Sequence, residues 1–533
     1  MKIVLAEKVS PATLAVFKAE PGWQIVTHDQ VRNGLAAELA DADGLVVRSA
    51  VQVDDALLER APKLRVIGRA GVGVDNIDAD SATRRGIVVM NTPGANAIAV
   101  AELTLALMLS LARQLPRANA LLHAGKWEKK SLSGSELRGK KLGVLGLGRV
   151  GLEVAQRARA FGMELLGHDP FVSPAIARER NVQLVTLDEL FRQADYLTLH
   201  VGLTPQTTGV INAATLATMK PGVRIVNCAR GELIDDAALL AALESGQVGG
   251  AALDVFRQEP LEASPFFGQE NVLLTPHIAG STAEAQEAVG IQIAEQVREY
   301  LKLGIAQNAV NLPSLSHEEY LELAPYIEMA GRLGAFLAAQ NAGQNAGNIE
   351  GIDLVYGGRL AEGKTELLRN AALQGILAPS EHVNRISAAS VAAERGIRVH
   401  ESKREAVSGG SGSVLELALH TRDGHNRATA TVLHGYAPRL LSTDGIDIEV
   451  PLHGTLIAIR NLDVPGVIGR IGTILGEHRI NIANFALGRG HAAGASTAIA
   501  VVQVDGDVTP AVLSALEKTE AITEVRLVQL PSA

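Results

Sequence analysis

One cysteine in 533 residues rules out a disulfide framework, so the chain must rely on cores of its own. Aromatic residues make up only 3%, and 49 Lys plus Arg are outnumbered by 58 Asp plus Glu. The resulting net charge of −9 is spread along the chain, with no basic face of the kind that binds nucleic acid. The opening MKIVLAEKVSPATL lacks the basic start and cleavable apolar run of a signal peptide. The longest apolar stretch, AIAVAELTLALMLSLA, carries Glu102 in its middle and does not read as a membrane span. These absences predict a cytoplasmic protein with neither nucleic-acid nor membrane partners. Anionic ligands must then be met by local Arg and Lys side chains.

What is present is a long alternation of strands and helices, enough for several domains. KIVLA, GLVVRS, LRVIGR and GIVVMN alternate with helical segments over residues 1 to about 95, the pattern of a parallel α/β sheet. A buried helix, AVAELTLALMLSLARQL, follows. From residue 140 a second unit runs through YLTLHV, RIVNCA, GAALDV and NVLLTP, and completes a second doubly wound sheet. The helix AEAQEAVGIQIAEQVREYLKLG is placed to lead the chain back to the first unit. The expected division is 1–97 with 284–313, 98–283, 314–452 and 453–533. The third region is α+β and contains SGGSGS, read as a turn within a domain rather than a boundary. The fourth reads βαββαβ, a ferredoxin-like unit.

The most informative stretch is KKLGVLGLGRVGLEVAQRARAFGMELLGHDP, residues 140–170, where strand, glycine turn, helix and second strand follow without a break. Gly146 permits the tight turn, Gly148 lets a pyrophosphate approach the backbone, and Gly151 lets the helix pack against its strand. Asp169 sits where a carboxylate would bind a ribose 2′-OH and repel a 2′-phosphate, which favours NAD over NADP.

Hydride transfer from a hydroxyl-bearing carbon needs a proton acceptor, a cation beside the oxygen and a group that tunes the base. Arg230 in NCARGELID, Glu259 in LDVFRQEP and His277 in TPHIAGST lie just past successive strands, where ligands of open α/β sheets bind. Taken singly, Arg230 could cap a helix, Glu259 could be a solvated turn residue and His277 a buried histidine. Their common placement argues for a site. Cys228, without basic neighbours, reads as a small core residue.

LGVLGLGRVG, NCARGELID, ALDVF followed by Glu259, and TPHIAGST resemble the signature motifs of the D-isomer-specific 2-hydroxyacid dehydrogenases over residues 1 to about 310. The long extension and the terminal unit with NLDVPGVIGRIGTILGEHRINIANFALGR are similar to the long form of that family, which has an intervening domain and an ACT domain. The resemblance implies NAD-dependent oxidation of 3-phospho-D-glycerate to 3-phosphooxypyruvate in serine synthesis. It implies His277 as general acid/base, Glu259 as the partner that raises its pKa, and Arg230 at the substrate carboxylate. Arg149 and Val150 would lie beside the pyrophosphate, Cys228 and Ala229 would line the cofactor through backbone, and Asp254 would contact the nicotinamide carboxamide. Arg48, Arg69 and Asn96 would bind the substrate's anionic groups; Gly94, Ala95 and Asn96 depart from the Asn-Gly-Asn of another member.

Lys126, Lys129 and Lys130 form a candidate basic patch, more simply a solvated charge run. The apolar helix from Ala97 to Leu115 predicts a homodimer or homotetramer. In the terminal unit Asn461 and Asp463 are expected exposed at a strand end, and Asp463 of one chain with Asn481 of another would hold an L-serine effector. Alternatives left open are another 2-hydroxyacid reductase, acting on glyoxylate, hydroxypyruvate or 2-oxoglutarate, and a non-enzymatic NAD-sensing protein like the corepressors of this fold. No metal is expected.

Overall fold

The computed structural model describes residues 1–31, 34–313, 315, 317–341, 349–378, 383–404, 412–422, 424–490 and 497–531. Its first sheet is wholly parallel, in spatial order Gln24–Val26, Lys2–Leu5, Gly44–Val47, Val66–Arg69 and Val88–Met90. Strand order reverses beside Lys2–Leu5, so the loops after Leu5 and Val47 diverge and leave a crevice at the carboxyl ends. The helix Ala283–Leu303 returns across one face of this sheet, as its position in the sequence suggests. Its Ile293, Val297 and Leu301 join Ile3, Leu5, Val66 and Val88 in one core, each contributing roughly 1.5–3 kcal/mol by burial. Gly68 makes this approach feasible, because a Cβ there would lie 2.7 Å from Val297 and 2.8 Å from Ile293.

The second sheet has seven parallel strands in the order Val272–Leu274, Val248–Leu253, Val223–Asn227, Tyr196–Leu199, Lys141–Leu145, Glu164–His168 and Gln183–Leu184. Cores cover both its faces, which is why its strands read as continuous apolar runs. Its switch point falls between Lys141–Leu145 and Tyr196–Leu199, beside the glycine turn.

The apolar helix differs from expectation. It spans Ala97–Arg113 and stops at Gln114, which adopts φ +53 before a second helix, Leu115–His123, with Pro116 in its first turn. Val100, Leu105, Met108 and Leu111 are buried within the chain's own core, in keeping with the buried helix read from the sequence, so these side chains are not an exposed apolar surface for an interface. Leu122 (60% exposed) and Trp127 (82%) on the following arm are. Among the described residues no single helix is long and apolar enough to cross a membrane; only this pair would be, and it is bent by 63°.

The intervening region forms a six-stranded mixed sheet in the order Arg398–Arg404, Ile349–Gly358, Ser413–Thr421, Gly424–Leu433, Ala437–Thr443 and Ile446–Pro451. Only its first pair is parallel. Residues 408–411 of SGGSGS lie outside the described residues, but the strands on either side belong to this one sheet. Helices His317–Gln340 and Thr365–Leu377 meet at glycines: a Cβ on Gly375 would lie 2.0 Å from the Gly331 carbonyl oxygen.

The terminal unit is the expected βαββαβ, an antiparallel sheet in the order Asn481–Arg489, Thr497–Asp505, Thr455–Leu462 and Ile522–Gln529. Its two faces are both covered. Ile457 and Ile459 pack under its own helices, while Leu456 and Ala458 join Met329, Leu333 and Leu452 of the intervening region in a shared core.

Gly151 is the tightest backbone approach in the glycine turn: a Cβ there would sit 2.0 Å from the Gly146 carbonyl oxygen. Since backbone cannot yield as a side-chain tip does, Gly151→Ala should lose about 1–3 kcal/mol of stability in urea titration. An unchanged midpoint would refute this account of the turn.

Candidate active site

Gly146 ends its strand at φ +93, and a Cβ there would strike the His200 carbonyl oxygen at 2.5 Å. Gly148, at the N-cap of helix Arg149–Ala160, has open space where a Cβ would be. A helix N-terminus opening on such a space suits a pyrophosphate, so the residues present fit a dinucleotide. The Asp169 carboxylate, past the next strand, accepts from Leu147 N–H at 2.8 Å and Phe171 N–H at 2.9 Å. It therefore braces the glycine turn and keeps further acceptor positions for a ribose hydroxyl. Arg149 donates from Nη1 to the Pro93 carbonyl and so bridges the two α/β units. Val150 tucks its side chain against the core. Cys228 is buried, which pushes its thiol up to about 12, as befits a core residue. Ala229 N–H is held by Asn227 Oδ1 at 3.0 Å.

His277 and Glu259 meet. His277 Nδ1 lies 2.6 Å from Glu259 Oε2, while Glu259 Oε1 accepts from Phe256 N–H at 3.0 Å. The bond to Glu259 raises the His277 pKa above its ordinary value; burial opposes it, the charges of Glu259 and Asp254 reinforce it, and Arg230 opposes it. Burial works against ionised Glu259, yet the bond to His277 and the Phe256 N–H outweigh it and hold the carboxyl below its usual range. His277 itself adopts φ +51, a strained conformation for a residue other than glycine. Asp254 holds it there. Fully buried, Asp254 takes Thr275 Oγ1 at 2.6 Å, Ile278 N–H at 2.9 Å and Ala279 N–H at 2.9 Å, and its carbonyl takes His277 N–H at 2.8 Å.

Arg48, Arg69, Asn96, Arg230, Glu259 and His277 all line one open cleft of about 1490 Å³ between the two α/β units. Arg48 follows one strand of the first sheet and Arg69 ends the next, so both stand at carboxyl ends. Arg69 Nε and Asn96 Oδ1 are buried without hydrogen-bond partners among the described residues. Burial, then the charge of Arg230, lowers the Arg69 pKa to about 10. Four arginines, Arg48, Arg69, Arg230 and Arg257, lie on the cleft wall, and Asn96 closes it near Gly280, whose Cβ would lie 3.1 Å from Asn96 Nδ2. This is a cationic, under-bonded cleft beside a paired histidine.

Two carboxylates here were not singled out in the sequence. Asp75 accepts from Arg230 Nε at 3.0 Å and also pairs with its Nη2, across the cleft. Glu7 accepts the backbone N–H groups of Arg48 at 2.8 Å and Val51 at 3.2 Å, and so shapes the Arg48 loop. Asp75 lies within GVGVDNID, close to Arg69, and that proximity was the available signal. Lys126, Lys129 and Lys130 are exposed and do not line the cleft.

In the terminal unit, Asp463 pairs with Arg489 at 3.3 Å, and Asn481 Nδ2 donates to Asp505 at 2.8 Å. Asn461 is not exposed. It is 3% accessible, because it still lies within the strand Thr455–Leu462 rather than past its end, and its Oδ1 has no partner among the described residues.

A parallel doubly wound sheet with this glycine turn, an acid-paired histidine and clustered guanidinium groups is the architecture of an NAD-dependent oxidoreductase. Residues 105–279 match the NAD binding domain of the D-isomer specific 2-hydroxyacid dehydrogenases. Residues 322–444 match the D-3-phosphoglycerate dehydrogenase intervening domain, and 455–521 the ACT domain. The chain is 42% identical to a D-3-phosphoglycerate dehydrogenase of Synechocystis, over 99% of this chain and 95% of that one. With the enzyme of that name from Methanocaldococcus jannaschii it shares 38% identity over 99% of this chain and 100% of the other. Among solved structures, D-lactate dehydrogenase from Aquifex aeolicus, complexed with NAD and lactic acid, is 29% identical with a TM-score of 0.52 and covers 59% of this chain and 100% of its own. A glyoxylate reductase structure covers 58% of this chain and 98% of its own, at 31% identity and TM-score 0.53. The chain belongs to the D-3-phosphoglycerate dehydrogenase family of the D-isomer-specific 2-hydroxyacid dehydrogenases, in the long form with intervening and ACT domains.

Because the Glu259 bond is the largest cause of the raised His277 pKa, Glu259→Gln should move the His277 titration to lower pH, read from its ring protons by NMR. A midpoint that stays in place would assign the shift to another cause.

Proposed function

We propose that this chain is a cytoplasmic NAD-dependent dehydrogenase that oxidises 3-phospho-D-glycerate to 3-phosphooxypyruvate, the first step of L-serine synthesis. The observation that carries the reading is the 2.6 Å His277–Glu259 pair in one cleft with Arg48, Arg69 and Arg230. A phosphorylated hydroxyacid brings two anionic groups, and guanidinium groups suit both carboxylate and phosphate. Relatives matching over nearly the whole chain bear the D-3-phosphoglycerate dehydrogenase name, whereas the lactate and glyoxylate enzymes match only the catalytic part. That contrast favours the phosphorylated substrate.

The glycine turn and Asp169 would hold NAD, which would supply the hydride acceptor for C2. The remaining acceptor position on Asp254 would serve the carboxamide. Arg230 anchors the substrate carboxylate beside the reacting carbon, and Arg48, Arg69 and Asn96 take the remaining anionic oxygens. With Nδ1 engaged by Glu259, His277 presents Nε2 to the substrate hydroxyl and takes its proton. Ionised Glu259 then stabilises the imidazolium. Oxidation requires His277 neutral at the outset, so turnover rises as pH passes upward through its raised pKa. His277→Ala should lower kcat by about 10²–10⁴ while NAD binding persists. Near-unchanged turnover of 3-phosphoglycerate would overturn the assignment.

The apolar arm bearing Leu122 and Trp127 supports a homodimer or homotetramer. We assign L-serine as effector of the terminal unit, between Asp463 of one chain and Asn481 of another. The existing partners of these residues, Arg489 and Asp505, form the polar surroundings that an amino acid's two charges require. Calorimetry with L-serine should show binding that Asp463→Ala with Asn481→Ala abolishes; binding that survives both changes would reject this site.

A further inference from the structure

A second cavity, of about 260 Å³, lies at the amino ends of the first sheet, opposite the catalytic cleft and sharing no lining residue with it. Three parts of the chain build it. Arg65 and Gly86 precede the strands Val66–Arg69 and Val88–Met90, Tyr300 and Gly304 come from the returning helix and its end, and Arg385 and Asn370 come from the intervening region. Among the described residues no Asp or Glu stands on its wall, whereas two guanidinium groups do. Arg385 makes no ion pair or hydrogen bond among the described residues, and the recorded side-chain contact of Arg65 is with Met1 Sδ at 4.0 Å.

Other donors converge on the same space. Asn370 is 4% exposed and receives Arg369 Nε on its Oδ1 at 3.1 Å, which leaves its Nδ2 without an acceptor among the described residues. At Gly304 a Cβ would lie 3.8 Å from Tyr320 Oη and 3.9 Å from Arg385 Nη2. Burial raises the Tyr300 phenol pKa, and Arg65 and Arg385 both oppose the rise, so each guanidinium acts on the cavity interior. Leu315, Ile327 and Leu367 supply an apolar remainder. Positive charge without its counter-charge, unpaired donors and an apolar wall together specify a ligand.

We infer that this cavity binds a small organic anion, with a carboxylate or phosphate head between Arg65 and Arg385 and an apolar body against Leu315, Ile327 and Leu367. Its volume, just below the roughly 300–1,000 Å³ of drug-sized sites, suits a small metabolite. The ligand would reinforce a junction that already holds polar contacts such as Asn384 Nδ2 to the Gly86 carbonyl at 2.8 Å and Tyr320 Oη to the Leu303 carbonyl at 3.3 Å. By binding both sides at once, it favours the docked arrangement of the intervening region. This inference does not depend on the catalytic reading.

The test is calorimetric titration of the full chain with inorganic phosphate and, separately, with butyrate, alongside Arg65→Ala, Arg385→Ala and the double variant. Phosphate also finds the catalytic cleft, so the difference between proteins is the readout. Expected is one site per chain that weakens roughly tenfold or more in each single variant and vanishes in the double variant, with kcat within about twofold of the parent. Loss of phosphate uptake alone identifies a phosphate head, and loss of butyrate uptake alone a carboxylate with an apolar body; both support the site. Isotherms identical in parent and double variant for both probes overturn it. Should the double variant misfold, Arg385→Gln keeps the side chain's bulk without its charge, and unchanged binding of both probes there is equally decisive against the proposal.

Discussion

Carboxylates that accept backbone N–H groups organise the loops on which the catalytic cleft depends. Loops at the carboxyl ends of parallel strands carry donors that no ladder satisfies, and leaving them buried without partners is costly. Glu7 gathers the N–H groups of Arg48 and Val51, Asp169 those of Leu147 and Phe171, and Asp254 those of Ile278 and Ala279. Each fixes a loop that carries a functional group: Arg48, the glycine turn or His277. The strained backbone at His277 persists because Asp254 holds the residues on both sides of it. Without these anchors the side chains would be present but not aimed.

The charges of the cleft are arranged so that substrate completes them. Arg69 lies near Arg230 with a buried Nε that has no partner among the described residues, and Asp75, from the opposite wall, pairs with Arg230. An anionic ligand entering the cleft meets cations already desolvated by the protein, which strengthens each contact relative to water. The same feature makes the cleft a site of relative instability, consistent with function that rests on unspent interactions.

Much of this was legible in the sequence, and the reason lies in range. The glycine turn, its helix and the strand before Asp169 are specified within about thirty residues, and periodicity with glycine spacing reveals them. The loops bearing Arg230, Glu259 and His277 follow from the rule that open sheets bind at carboxyl strand ends. What the sequence hid is mostly long-range. Asp75 and Arg230 are 155 positions apart, and nothing local marks them as partners. Gln24–Val26 and Gln183–Leu184 are edge strands of three and two residues, too short to show a period. The break at Gln114 required a left-handed residue other than glycine, for which composition gives no signal, and the burial of Asn461 depended on the strand continuing one residue beyond it.

The shared core beneath the terminal sheet has a bearing on how this chain could have been assembled in evolution. Leu456 and Ala458 share a core with Met329, Leu333 and Leu452, so the last unit is apolar where a free-standing module would be polar. Grafted onto another protein, or cut free by proteolysis, it would present a bare greasy sheet face and self-associate. Moved alone, the terminal unit would need another apolar surface to cover that face.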